Sequence, residues 1–167
     1  AVSVENAKLI EDKGFKDSKL LTPQRRNELF KLIKGNYRYA VEIIQPEEID
    51  EYRRKNQLNL LNRKAFEKVI IKLNPNIAYV DAADVNEERF GREIKSNLTN
   101  DNDTDVISMH KADSKIPVVA AASIIAKQTR ENEIKKLKEK IGDFGSGYPS
   151  DERTIKFLKS YFHDNSK

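Results

Sequence analysis

The sequence contains no cysteine and no long hydrophobic run. Without cysteine, neither a disulfide framework nor a thiolate metal site can form, which fits a reducing compartment. The longest nearly unbroken apolar run, residues 116–126, is about half as long as the ~20 residues that a membrane-spanning helix needs. The first residues, AVSVENAKLI, lack the charged-then-apolar order of a signal peptide. We therefore predict a cytoplasmic protein without a membrane span.

Positive charge is concentrated near the start of the chain. The 167 residues are 35% charged and 38% hydrophobic, and the formal net charge of +4 is carried by residues 1–40. A chain of this length is expected to form one domain that buries roughly two-thirds of its surface on folding. A basic patch beside a neutral body favours a polyanionic partner. On charge alone, an ordinary solvated surface is the simpler interpretation.

Short β-rich runs alternate with helical patterns along the chain, which predicts an α/β layer fold. Thr22-Pro23 supplies the N-cap and first-turn residues of a helix that Gly35 is expected to end. Further helices are predicted over residues 46–54, 61–73, 90–98, 117–141 and 155–162. Strands are predicted over residues 39–44, over residues 77–81 and around residues 106–107, the last running up to His110.

Two acids, Asp81 and Asp113, stand out by their positions. Asp81 follows an apolar strand, and open α/β sheets bind their ligands at the carboxyl edge. Asp113 lies at a strand-to-helix junction, where a helix N-terminus favours negative charge. Taken alone, Asp81 is more simply a turn residue and Asp113 a helix cap. Together they favour a hard cation, because magnesium is usually held by one or two carboxylates plus substrate phosphates.

Other chemistries find little support in the sequence. The two histidines, His110 and His163, are far apart along the chain, and cysteine is absent, which argues against zinc. Neither a GxxxxGK[ST] loop nor a G-x-S-x-G elbow is present.

Two further stretches have the composition of phosphate-binding segments. KDSKLLTPQRR, residues 16–26, combines cations, a hydroxyl group and the free backbone N–H groups of a helix start. GSGYPSD, residues 145–151, presents Tyr148 on a glycine-rich loop, where its ring can stack on a base or sugar. A tight turn with a packing tyrosine explains the second stretch equally well.

Four motifs together resemble ribonuclease HII, in its archaeal form. They are KDSKLLTPQRR, YVDAADVNEERF, HKADSKIPVVAAASIIAK and GSGYPSD, in this order, and the resemblance extends from about residue 1 to Phe162. It implies an α/β ribonuclease H-like fold with a mixed central sheet flanked by helices. It also implies cleavage of the RNA strand of RNA–DNA hybrids by two-metal-ion hydrolysis with Mg²⁺ or Mn²⁺. Incision at single ribonucleotides in duplex DNA, a DNA-repair activity, belongs to the same expectation.

The resemblance also assigns roles to residues. Members of the family hold the metals with four acids, two of which match Asp81 and Asp113; Asp84 does not fall on a ligand position. Tyr148 matches the tyrosine that senses the ribonucleotide–deoxynucleotide junction. Asp113 would be held rigidly by the small-residue helix that follows it. The residues predicted to bind nucleic acid are Lys16, Ser18, Lys19, Arg25, Lys111, Lys115 and Tyr148.

The sequence departs from the family pattern at its ends. The D-E-A-G-R-G signature, which supplies the other two acids, would lie before Ala1, and the tail that binds the sliding clamp in many archaeal members would follow Lys167. We therefore expect residues 1–167 to be a single ribonuclease H-like catalytic domain, incomplete at both ends and monomeric. The alternatives are a non-catalytic nucleic-acid-binding fragment of the same fold and the catalytic subunit of a heteromeric ribonuclease H.

Overall fold

The structure is a computed structural model that describes residues 1–5, 10, 15, 21–99 and 103–165. Within these ranges, short strands alternate with helices, as the sequence predicts. The strands are β1 (Val2–Ser3), β2 (Arg38–Tyr39), β3 (Ile77–Asp81) and β4 (Asp105–Met109). The helices are α1 (Pro23–Asn36), α2 (Pro46–Arg54), α3 (Leu58–Leu73), α4 (Glu87–Asn97), α5 (Ala112–Lys115), α6 (Pro117–Ile141) and α7 (Glu152–Asn165). None of the described helices combines the length and apolarity needed to cross a membrane.

The start of α1 confirms the predicted capping. Thr22 has an extended backbone, and its Oγ1 accepts a hydrogen bond from the backbone N–H of Arg25 at 3.2 Å. Pro23 then occupies the first turn, where a missing N–H costs nothing. Gly35 does not end the helix, which continues to Asn36 before the chain becomes extended at Tyr37.

The predicted strand over residues 39–44 is wrong for most of its length. Only Arg38 and Tyr39 pair, antiparallel, with β1. Two more hydrogen bonds end this pairing: one from Ala40 N to Ala1 O at 3.0 Å, and one from the amino group of Ala1 to Ala40 O at 2.7 Å. Val41 packs against a hydrophobic core instead. In this run only Ala40 is fully buried, and Ile43 is 49% exposed, so its apolar residues do not form one face of a longer strand.

The described strands form two pairs, one antiparallel and one parallel. β1 pairs with β2, and β3 pairs in parallel with β4 so that Asp81 lies opposite Met109. Parallel strands require a crossover connection, which α4 provides. The carboxyl ends of β3 and β4 therefore meet at one edge.

Contacts divide the chain into two compact units, Ala1–Ala126 and Lys127–Lys167. The first unit contains two hydrophobic cores. The α1 core consists of Ile10, Phe15, Leu29, Ile33, Ala120, Ala121, Ile124 and Ile125. The α4 core consists of Ile70, Ala78, Val80, Phe90 and Ile94. In the second unit, Phe157 lies between Phe144 and Tyr161, with ring centroids 5.8 and 5.7 Å away. The single catalytic domain stays a prediction.

Gly91 allows α4 to lie close to β4, and Gly91→Ala is expected to destabilise the protein. A Cβ at Gly91 would lie 2.9 Å from the Cβ of Ser108, so the helix or strand must move. Overpacking of this kind costs about 1–3 kcal/mol, which exceeds the roughly 1 kcal/mol of helix propensity gained from alanine. Urea unfolding should show a lower free energy of unfolding.

Gly35→Ala is the matched control, because Gly35 is also helical but has nothing within 4 Å of its added Cβ. We expect this variant to be as stable as the parent chain or more stable. Equal stability changes for the two variants would contradict the close packing of α4 on β4.

Candidate active site

Asp81 is the last residue of β3, at the edge where the two parallel strands end. Its Oδ1 accepts a hydrogen bond from the backbone N–H of Ala112 at 3.1 Å. A second link across this edge runs from Ala82 N to Met109 O at 3.1 Å. Asp81 is thus fixed against the turn between β4 and α5. The expected position at the carboxyl edge of the sheet is confirmed.

Asp113 lies in α5, a four-residue helix that the sequence analysis missed. The sequence predicts Asp113 at a junction between a strand and the long helix from Pro117; in the structure the short helix α5 lies at this junction, and the extended residue Ile116 separates it from α6. Pro117 explains this break, because the residue before a proline is disfavoured in the α region. Lys111 enters α5 in the left-handed region at φ 57°. Asp113 is only 8% exposed and directly follows Ala112, the residue bound to Asp81.

Asp84 is a buried acid that braces the loop after β3. Its carboxylate accepts hydrogen bonds from Asn86 N at 3.0 Å, Arg89 Nη2 at 2.6 Å and Asn59 Nδ2 at 3.1 Å. The backbone N–H of Asn86 and, after it, the guanidinium of Arg89 hold the pKa of Asp84 below its usual value, against the opposing effect of burial. With three donors already bound, this carboxylate has a structural task.

The donor chemistry at this edge fits a hard divalent cation. No group of three or more His, Cys, Asp or Glu side chains within the described ranges is arranged to enclose a metal ion. Asp81 nevertheless accepts a hydrogen bond from the backbone N–H of Ala112, the residue that immediately precedes Asp113. One or two carboxylates, completed by substrate phosphates, are a usual set of ligands for magnesium. The arrangement therefore suits an ion that binds together with a phosphodiester.

The predicted nucleic-acid-binding residues differ in their exposure and in their ion pairs, and some of them lie outside the described residues. Lys111 and Lys115 are both exposed and flank Ala112–Asp113 in α5 and its N-cap. Arg25 is exposed in the first turn of α1 and forms an ion pair with Glu28 at 3.0 Å. The three residues Lys16, Ser18 and Lys19 lie outside the described residues.

Tyr148 lies in the second compact unit and is 49% exposed. The guanidinium carbon of Arg130 lies 3.8 Å from the centre of the Tyr148 ring. The same guanidinium donates hydrogen bonds to the carbonyl oxygens of Ser146 at 3.5 Å and Gly147 at 3.3 Å. Arg130 therefore holds one face of the tyrosine ring and the backbone that carries it. Arg130 is not among the residues predicted from the sequence, because nothing in the pattern of α6 distinguishes it from a surface cation.

The loop that carries Tyr148 is closed by hydrogen bonds to its own backbone. Asp151 accepts from the backbone N–H of Ser146 at 2.7 Å. Thr154, which is buried, accepts from Gly147 N at 3.0 Å and donates to Phe144 O at 2.8 Å. Gly145 has φ +80°, and a Cβ there would lie 2.6 Å from Asp151 Oδ2. Only glycine fits the turn that brings these groups together.

Asp151 is expected to make the stability of this loop depend on acid pH. Hydrogen bonds from the backbone N–H and then the hydroxyl of Ser146 lower the pKa of Asp151 from 3.8 to about 2. Because the folded pKa is depressed, the stabilisation is fully present above pH 3.8 and is lost as the pH falls to about 2. Acid titration of unfolding should show the stability of the parent chain and of Asp151→Asn converging in this window. A constant difference between them would contradict the prediction.

The family model described as ribonuclease HII matches residues 1–167. A ribonuclease HII from Methanoregula boonei is 44% identical over 164 residues, which covers 98% of this chain and 76% of that protein. The structure of a PCNA:RNase HII complex from Archaeoglobus fulgidus matches with a TM-score of 0.91 and 42% identity, covering 99% of this chain and 80% of that one. Ribonuclease H2 from Pyrococcus horikoshii matches with a TM-score of 0.87 and 42% identity, covering 99% and 78%.

Proposed function

The chain belongs to the ribonuclease HII family, and from this membership we propose that Asp81 and Asp113 hold its divalent metal at the scissile phosphodiester. The predicted resemblance and the ribonuclease H-like α/β fold are confirmed. The activity is that of the family, a metal-dependent endoribonuclease acting on RNA–DNA hybrids.

One observation carries the assignment of the two acids. The hydrogen bond from Ala112 N to Asp81 Oδ1 joins the end of β3 to α5, the helix that contains Asp113. Asp81 and the segment that carries Asp113 thus meet at one edge of the parallel strand pair, and this edge is where α/β sheets bind ligands. A turn residue and a helix cap, the simpler interpretations, do not require this link.

We propose Mg²⁺ or Mn²⁺ as the ion. When bound, such an ion stabilises charge on the attacking and leaving oxygens of an in-line displacement. Asp81 and Asp113 supply the negative oxygens that hold it. Ala112, through its backbone N–H, keeps the Asp81 carboxylate turned toward α5. Metal-dependent cleavage requires carboxylates in fixed positions, because even small displacements of the reacting groups lower the rate of cleavage.

The remaining roles concern the nucleic acid. Lys111 and Lys115 are proposed to contact phosphates beside Asp113, because both are exposed cations on the same short segment. Arg25, in the first turn of α1, is proposed to contact the sugar-phosphate backbone of the nucleic acid. The exposed face of Tyr148 is proposed to stack at the ribonucleotide. The roles of Lys16, Ser18 and Lys19 stay predictions from the sequence.

The proposed substrates are RNA–DNA hybrids and duplex DNA that contains single ribonucleotides. We propose that the enzyme is monomeric and acts in the cytoplasm. The Archaeoglobus fulgidus relative was solved in complex with PCNA. By analogy, we propose that a sliding clamp is a partner of this enzyme through the C-terminal tail expected from the resemblance.

Cleavage of a labelled DNA duplex that contains one ribonucleotide tests the function. We expect the protein to cut at that ribonucleotide with Mg²⁺ or Mn²⁺, to leave an all-DNA duplex intact, and to stop cutting in EDTA. Binding of hybrid that is equal in EDTA and in Mg²⁺, without any cutting, would instead support the non-catalytic binding fragment.

Tyr148→Ala is expected to lower the rate of incision at a single ribonucleotide by roughly 5- to 150-fold, since stacking of one base on an aromatic ring is worth about 1–3 kcal/mol. Tyr148→Phe, which keeps the ring that Arg130 covers, should retain most of this rate. Single-turnover kinetics on the single-ribonucleotide duplex and on a long hybrid measure the effect and its selectivity. Equal rates for the alanine and phenylalanine variants would contradict a stacking role.

A further inference from the structure

His110 connects the two segments that carry Asp81 and Asp113. It follows β4 and precedes α5, on the turn that leads to Asp113. Its ring Nε2 lies 2.8 Å from the backbone carbonyl oxygen of Asp84, in the loop that follows Asp81. Its ring Nδ1 lies 3.2 Å from Glu87 Oε2, at the first residue of α4. Both ring nitrogens thus face groups from the β3–α4 segment.

The protonation of the Nε2 atom follows from its partner. A backbone carbonyl only accepts hydrogen bonds, so the Nε2 of His110 must carry the hydrogen that lies between it and Asp84 O. The carbonyl is a fixed target, because the Asp84 side chain is buried and bound by Asn59, Asn86 and Arg89. The His110–Asp84 hydrogen bond therefore joins one segment to a rigid part of the other.

We infer that His110 is a positioning residue that fixes the separation of Asp81 and Asp113. The inference rests on the proposed function, in which these two carboxylates hold the metal. Two hydrogen bonds join the turn between β4 and α5 to the β3–α4 segment: one from Ala112 N–H to Asp81 Oδ1 and one from His110 Nε2–H to Asp84 O. With the second bond absent, the turn before α5 is held by fewer contacts, and the Ala112–Asp81 bond opens more often.

Two substitutions separate the contact of Nε2 with Asp84 O from the contact of Nδ1 with Glu87. In His110→Gln, the side-chain amide nitrogen takes the place of Nε2 and can still donate to Asp84 O, while the contact with Glu87 is lost. In His110→Asn, the amide nitrogen takes the place of Nδ1 and keeps the contact with Glu87, while the bond to Asp84 O is lost. In both variants Glu87 Oε2 still accepts from the backbone N–H of residue 110, as it does at 2.6 Å in this structure.

Hydrogen exchange of the Ala112 amide measures how often the Ala112–Asp81 hydrogen bond opens, because this N–H donates to Asp81. The measurement needs neither metal nor substrate. We expect its protection to fall in His110→Asn and to be retained in His110→Gln. The Asp105 amide, bound to Asn76 O at the opposite end of the strand pair, is the reference. Equal protection of Ala112 in both variants, or an equal loss at Ala112 and Asp105, would overturn the inference.

Titration with Mn²⁺, followed by electron paramagnetic resonance, separates this inference from the function on which it rests. We expect His110→Asn to bind Mn²⁺ about tenfold more weakly, the effect typical of residues that orient metal ligands, and His110→Gln to bind it close to the parent affinity. Asp81→Asn combined with Asp113→Asn should abolish binding. Unchanged Mn²⁺ binding in that double variant would refute the metal site itself. If the double variant loses Mn²⁺ binding but His110→Asn binds Mn²⁺ as the parent chain does, only the positioning role of His110 is refuted.

Discussion

Asp113→Asn is expected to reduce cleavage of RNA–DNA hybrid by about a thousandfold or more, because a metal site supplies several kcal/mol of transition-state stabilisation and each 1.36 kcal/mol is a factor of ten in rate. Asparagine keeps the shape of the aspartate side chain, removes its charge and replaces one acceptor oxygen with an NH₂ group. The buried environment of Asp113, 8% exposed in α5, limits how far solvent can replace that charge. Single-turnover cleavage with saturating protein measures the loss.

The matched control is Asp105→Asn, the same change at the start of β4. Asp105 is exposed and pairs with Lys95 at 2.8 Å, far along the strand from the carboxyl edge. An exposed ion pair of this kind is worth little, so this variant should cut hybrid at nearly the parent rate. Cutting at the parent rate by Asp113→Asn would remove Asp113 from the metal site.

Binding of hybrid separates a catalytic loss from an unfolded variant. Loss of one negative charge beside Lys111 and Lys115 should leave affinity unchanged or raise it, since phosphate contacts dominate binding of nucleic acids. We therefore expect Asp113→Asn to bind hybrid in EDTA at least as tightly as the parent chain does. Weaker binding together with lost cleavage would instead indicate a damaged fold.

The sequence predicts features that depend on neighbours along the chain. Thr22-Pro23 marks the start of α1 because a cap and a first-turn proline act within one turn. The apolar run 77–80 predicts β3 and places Asp81 at its end because strand residues have a short, local pattern. In contrast, α5 spans four residues, too few for the helical repeat of apolar residues to show.

Contacts between distant residues leave no such pattern. His110 reaches a backbone carbonyl at Asp84, and every residue has a carbonyl, so the identity of residue 84 does not predict the contact. Arg130 likewise binds the carbonyls of Ser146 and Gly147. The strand predicted over residues 39–44 fails for a related reason. Pairing depends on the short β1, whose two residues the local alternation around Val41 does not reveal.

Asp81→Asn is expected to lose cleavage to a similar extent, about a thousandfold, while the site keeps its shape. Asp81 has two tasks, since its Oδ1 accepts from Ala112 N at 3.1 Å and its charge is proposed to hold the metal. The amide oxygen of asparagine can continue to accept that hydrogen bond. The free energy of unfolding and the exchange protection of the Ala112 amide should therefore stay near the values of the parent chain.

Asp81→Ala separates the two tasks, because alanine removes the acceptor as well as the charge. Ala112 is fully buried, so its N–H would lose its partner without access to water, at a cost of about 1–3 kcal/mol. We expect both variants to lose cleavage, but only the alanine variant to lose stability and Ala112 protection. If asparagine at position 81 supported cleavage at the parent rate, Asp81 would be an anchor for α5 and not a metal ligand. If the two variants were equally destabilised, the hydrogen bond to Ala112 would not be what fixes this edge.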